Sequence, residues 1–174
     1  GYGFLIENPN PTLAVALLPY EIALFDADGK LAGTDAGYVQ RILPGETLGV
    51  AGTMGLDEGV TVAEIEVRLS QGTFDTLDPV PGFAAERVAF EDGPYRDGAS
   101  GVVLNPLSTS FTEVRVSAIP YNEDGTIIGG GFAYLNFVLP EDASGVTLSL
   151  TKDGEIASVV LYPTVSGLTS VGDG

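Results

Sequence analysis

FDADGKLAGTDAGYVQRILPGE, residues Phe25 to Glu46, decides how this chain reads. It returns without a gap as YNEDGTIIGGGFAYLNFVLPED, residues Tyr121 to Asp142. The offset from Phe25 to Tyr121 is 96, and it also links Asp28 to Asp124, Gly29 to Gly125, Gly33 to Gly129, Leu43 to Leu139 and Pro44 to Pro140. A fixed internal offset sets the architecture before any single residue does. Within each copy, an Asp-Gly pair (Asp28-Gly29, Asp124-Gly125) signals a hairpin, because Gly takes a positive φ without steric cost. A long extended run follows, and a Leu-Pro turn closes it.

Outward from that stretch, the flanks also correspond. Asn8-Pro9 returns as Asn105-Pro106, and the alternating run Val62–Leu69 returns as Ile156–Pro163. Tyr20, Ile22 and Leu24 share one strand face, as do Val114, Val116 and Ala118; Glu21, Ala23, Arg115 and Ser117 take the opposite faces. In Val62–Ser70 the same alternation predicts Ala63, Ile65, Val67 and Leu69 inward and Glu64, Glu66 and Arg68 in water. Gly33 and Gly37 mark bends or bulges in the first long strand. The second, Thr126–Leu139, carries Phe132 and Tyr134 on one face and Phe137 on the other, all three expected in the core. Asp92-Gly93-Pro94 and Asp97-Gly98 read as turns. The expectation is an all-β chain of two tandem small antiparallel β-sandwich domains, 1–71 and 83–174. The Pro-containing stretch 72–82 is read as a linker, and the tail 164–174 as a fraying end.

One asymmetry stands out. A strand over Arg87–Glu91 is expected to open the second copy and pair with Gly101–Leu104. The first copy would need its equivalent ahead of Gly1. The expectation is an open sheet edge, or an edge completed by residues from outside this chain.

Composition bounds the chemistry. Among 174 residues, Gly (24) and Pro (11) punctuate short apolar runs, which fits an all-β fold. With 24 acidic and 7 basic residues the net charge is −17, which opposes nucleic acid and anionic lipid as partners. There is no Cys and no His, so disulfides, thiolate metal sites, Cys nucleophiles and the commonest general base are excluded. Only oxygen ligands remain, which restricts any metal to Ca²⁺ or Mg²⁺. No apolar run is long enough to span a bilayer, and no basic segment precedes an apolar one as in a signal peptide. The chain opens on Gly1 rather than Met, which predicts a piece of a longer polypeptide, with any signal or anchor outside it.

These motifs resemble the FxLYD-type domain, a small β-sandwich related in general form to immunoglobulin-like and fibronectin-like folds. Ile22-Ala23-Leu24-Phe25-Asp26 stands for the namesake motif, with Gly29 and Leu43-Pro44-Gly45-Glu46 following. Ala118-Ile119-Pro120-Tyr121-Asn122 keeps the aromatic, with Pro120 for Leu and Asn122 for Asp. The resemblance implies an extracytoplasmic module, cell-surface, periplasmic or secreted, anchored through a segment outside this chain. It brings no catalytic residues with it.

No catalytic, cofactor or metal-binding set is assigned. Asp26-x-Asp28-Gly29 with Asp35 echoes the start of a calcium loop, but the equivalent of Asp35 is Gly131, and a plain hairpin is the simpler reading. Gly129-Gly130-Gly131 lacks the Lys-Ser/Thr of a phosphate loop and reads as a bent strand. The acid pairs Asp57-Glu58, Glu91-Asp92 and Glu141-Asp142 sit in expected turns rather than facing one cleft, which disfavours a carboxylate hydrolase. The function expected is therefore a non-enzymatic structural or protein-interaction module, an accessory part of a larger assembly. Ca²⁺-dependent adhesion through Asp26 and Asp28 is the alternative.

Overall fold

The computed structural model describes residues 1–77, 80–91, 93 and 97–171. The chain is all-β. In the first repeat, β1 (Tyr2–Glu7) pairs antiparallel with β4 (Thr47–Gly52), forming a two-stranded ribbon. A second sheet has the order β3 (Leu31–Ile42), β2 (Leu13–Phe25), β5 (Glu64–Leu69), and β6 (Thr73–Thr76) extends it by pairing with Leu13–Ala16. Alternation along each strand sends one set of side chains between the layers. Tyr2 and Ile6 of β1 and Leu48 and Val50 of β4 meet Tyr20, Ile22, Leu24, Val39 and Ile42 of the facing sheet in one buried cluster.

The second repeat has strands β7 (Ala84–Glu91), β8 (Asp97–Leu104), β9 (Phe111–Thr112), β10 (Val114–Tyr121), β11 (Gly129–Leu135), β12 (Ala143–Lys152), β13 (Ser158–Thr164) and β14 (Ser170–Val171). It keeps the same plan, with β7 added and with two strands, β9 and β10, where the first has β2. Six of its strands follow one another in the order β13-β10-β11-β12-β8-β7. Val114, Val116 and Ala118 enter its core with Val103, Val146, Leu148 and Leu161. The alternation expected for both central strands, β2 and β10, is the one observed.

Two devices recur in both repeats and explain why the chain folds alike twice. The first is a buried asparagine at the end of the opening strand. Asn8 Nδ2 donates to the carbonyls of Leu13 (2.7 Å) and Leu43 (2.9 Å), and Asn105 Nδ2 to those of Thr109 (2.8 Å) and Leu139 (2.9 Å). Each ties the Asn-Pro segment to the Leu-Pro turn, satisfying carbonyls that burial would otherwise leave unpaired. The second is a left-handed residue where the central strand changes neighbours. Leu17 (φ 50°) separates the β6-paired part of β2 from the β5-paired part, and Glu113 (φ 53°) separates β9 from β10. Pro19 sits at the end of the β5 pairing, opposite Ser70; the Ser70 N–H donates to the Pro19 carbonyl (3.0 Å), Pro19 has no N–H to return the bond, and the β5 ladder stops there.

The repeats pack on each other through β4. Leu48 and Val50 point into the first core, so Gly49 and Ala51 point the other way, toward β10, β11 and β13. A Cβ on Gly49 would enter the ring of Tyr162, and one on Gly130 would meet the Ala51 methyl and the Tyr2 carbonyl. These glycines let two sheets approach closely. Ser117 and Ile119, on the face of β10 opposite its core, are 1% and 0% exposed as a result.

Several expectations are corrected. The stretch read as a linker, 72–82, begins with strand β6, and the tail read as fraying contains β14, which pairs with Phe111–Thr112. These two strands are equivalent, since Phe74 pairs with Val15 and Val171 with Phe111. Asp78, Pro79 and residues 172–174 lie outside the described residues, as do Asp92 and Pro94 of an expected turn. Asp97-Gly98, also read as a turn, opens β8. The single strand expected over Thr126–Leu139 is β11 plus isolated bridges at Ile127 and Val138. Phe132 and Phe137 are exposed instead of buried; Leu135 and Val138 fill the core from that segment.

Candidate functional site

The sequence asymmetry becomes a geometric one. Asn8 N–H donates to the Glu46 carbonyl (2.9 Å), continuing the β1–β4 register. In an antiparallel pair the residues bonded to a given neighbour alternate. The N–H and C=O groups of Leu5 and Glu7 therefore point to the other edge of β1, and no strand pairs there among the described residues. In the second repeat Asn105 N–H donates to the Asp142 carbonyl (2.9 Å) in the same way, and the other edge of β8 carries β7.

What β7 does in the second repeat shows what the first lacks. Opposite β2, Leu24 pairs with Ile65, Ile22 with Val67 and Tyr20 with Leu69. Opposite β10, at the same offset of 96, Pro120 pairs with Val159, Ala118 with Leu161 and Val116 with Pro163. Ile65 and Leu69 are thus the equivalents of Val159 and Pro163. β7 lies alongside β13, Ala85 packs on the core, and Val159 is 9% exposed with Pro163 buried. In the first repeat, Ile65 is 40% and Leu69 50% exposed. The inward direction expected for Ile65, Val67 and Leu69 corresponds to the strand parity, but only Val67 packs on the core. Among the described residues no strand covers the other two.

A second feature is a cleft of about 460 Å³ between the repeats. Its floor holds Tyr2, Tyr20, Asp35 and Arg115, and its walls include Tyr38, Phe132 and Tyr134. Tyr2 and Tyr20 lie over cross-strand glycines, Gly52 and Gly37, whose missing Cβ makes room for the rings. Tyr2 Oη donates to Asp35 Oδ2 (2.6 Å). Burial, and then that bond to Asp35, push the Tyr2 hydroxyl well above its ordinary range; burial raises Tyr20 too, against the pull of Arg115. Arg115 donates through Nη2 to the Ala51 carbonyl (2.6 Å) and through Nη1 to Tyr134 Oη (3.3 Å), with its guanidinium 3.9 Å over the Phe132 ring.

The residues weighed in the sequence take structural places. Asp26 Oδ1 accepts from the N–H groups of Asp28 (3.0 Å) and Lys30 (2.9 Å), closing the hairpin. Asn122 Oδ1 does the same for Asp124 (3.1 Å) and Thr126 (2.9 Å), so the charge of Asp26 is not what the turn requires. Asp35 lies opposite Ile22, down the ladder from the hairpin and committed to Tyr2. Among the described residues no three acids gather as a metal site. Gly129, Gly130 and Gly131 are buried where β11 passes from β10 to β12, close to the backbone of Ser149 and Thr151. Asp57, Glu58, Glu141 and Asp142 are exposed at turns, and Glu91 at the end of β7. The sequence reading missed Arg115 as a site residue. Its signal was a lone cation between Val114 and Val116 on an otherwise buried strand.

Comparison with family models, curated proteins and solved structures gave no match.

Proposed function

We propose that this chain is a non-enzymatic structural and protein-interaction module of tandem FxLYD type. It is presented outside the cytoplasm as an accessory part of a larger assembly. It engages a protein partner by accepting a strand at the free edge of β1, between β1 and β5. The observation that carries this reading is the exposure of Ile65 and Leu69, whose equivalents beside β7 are covered. The second repeat supplies the template for the guest: an antiparallel strand whose Ala85 packs on the core and whose Glu86, Arg87 and Glu91 face water. Strand addition gives affinity through main-chain hydrogen bonds and selectivity through alternate side chains.

The test uses a peptide with the sequence of residues 83–91, FAAERVAFE, added to the protein and followed by calorimetry. Covering Ile65 and Leu69 is worth roughly 1 kcal/mol each, and the ladder bonds add to that against the cost of ordering the peptide. Binding is expected with Kd on the order of 0.1–1 mM, about −4 to −5.5 kcal/mol. Glu86→Pro in the peptide removes a ladder donor and is expected to weaken binding at least about fivefold. Absence of binding, or indifference to the proline, refutes the reading. So does a longer polypeptide in which residues ahead of Gly1 already occupy this edge and exclude the peptide.

A further inference from the structure

We propose that the cleft between the repeats binds a small ring compound bearing one carboxylate, of the uronate type, with Arg115 receiving the carboxylate. This rests on the cleft alone and is independent of the open edge. Arg115 is one of 7 basic residues in a chain with 24 acidic ones, yet among the described residues no carboxylate comes within ion-pair distance of it. It is partly buried, which makes a missing counter-ion costly and an incoming one rewarding. Its position is fixed before any ligand arrives. The Ala51 carbonyl, Tyr134 Oη and the Phe132 face hold the guanidinium, and two of its five N–H groups make these bonds. The remaining N–H groups suit the two oxygens of a carboxylate.

The surroundings define the rest of the ligand. A volume of about 460 Å³ is that of a small-molecule site rather than of a chain-binding groove. Tyr38 (54% exposed) and Phe132 (38% exposed) offer aromatic faces to the C–H face of a ring. Asp35, which also accepts from Tyr2, lines the cleft and supplies acceptor oxygens for hydroxyl groups. Asp35 and the net charge of −17 oppose a polyanion, which favours one carboxylate over a phosphorylated ligand.

The experiment titrates the protein with glucuronate, glucose and benzoate, read by calorimetry and by amide chemical shifts. Saturable glucuronate binding is expected, with shifts centred on Gly37, Ser117 and Gly167, and glucose at least about tenfold weaker for want of the charge-assisted contact. Arg115→Gln is expected to lower glucuronate affinity about tenfold or more. Because Arg115 also joins the repeats, Tyr38→Ala is the second variant; its exposed side chain leaves the melting temperature unchanged while affinity falls about three- to tenfold. The proposal is overturned by absence of saturable glucuronate binding, by equal affinity for glucose, by benzoate binding more tightly than glucuronate, by shifts centred elsewhere, or by unchanged affinity in the variants.

Discussion

Replacing Asn8 by alanine tests whether the repeated asparagine holds each repeat together. Asn8 is 2% exposed, and its Nδ2 bonds to the Leu13 and Leu43 carbonyls are short, at 2.7 and 2.9 Å. Its Oδ1 also accepts from Asn10 Nδ2 (2.9 Å). Truncation leaves two carbonyls without their donor in a site that water does not reach easily. Each such loss costs about 1–2 kcal/mol. With the smaller Asn10 contact, the expected destabilisation is about 3 kcal/mol, a large part of the roughly 5–15 kcal/mol that folds typical domains. For a chain of this size that corresponds to a fall in Tm of about 6–12 °C. Urea titration and thermal melting followed by circular dichroism measure it. Asn105→Ala is expected to cost a similar amount, because Asn105 makes the same two bonds to Thr109 and Leu139. Asn10→Ala, which removes only the outer partner, is expected to cost less than about 1 kcal/mol. A loss below about 1 kcal/mol for both Asn8→Ala and Asn105→Ala would refute the view that these side chains close the repeats.

Three further outcomes follow from particular positions. Glu141 holds a φ of 50° where the equivalent first-repeat residue is Gly45 (φ 70°); Glu141→Gly is expected to stabilise by about 0.5–1 kcal/mol, measured by urea midpoint. Glu46 accepts the Leu43 N–H (2.5 Å), and burial raises its carboxyl above the ordinary range despite that bond. A raised folded value means that its stabilising contribution is present at low pH and lost as pH rises through that value. Glu46→Gln is therefore expected to raise Tm at pH 7 and to match the wild type near pH 3, in melts across pH. Gly49→Ala drives a methyl into the Tyr162 ring and is expected to cost about 1–3 kcal/mol and to speed proteolysis between the repeats.

Much of this architecture was legible because it was written twice. The alternation around Ile22 and Val116 and the Asp-Gly hairpins gave the strands, and the Asn-Pro and Leu-Pro segments gave the turns. β6 and β14 were not legible. Thr73–Thr76 is short and wholly exposed, and it is held by backbone pairing to β2 rather than by any apolar pattern. Phe132 and Tyr134 misled for a related reason: their parity is that of Arg115 and Ser117, and one sequence does not say that a second repeat packs on that face. The cleft was illegible because its residues come from β1, β2, β3, β4, β10, β11 and the end of β13, and only the packing of the repeats brings them together.

The most direct measurement of the central claim is residue-resolved amide hydrogen exchange of the chain by itself. Leu5 and Glu7 of β1 are the equivalents of Val102 and Leu104 of β8, and among the described residues only the latter pair faces a neighbouring strand. An open edge predicts that the Leu5 and Glu7 amides exchange at least about tenfold faster than those of Val102 and Leu104. Equal protection of the two pairs would mean that the edge of β1 is already closed and would contradict the account.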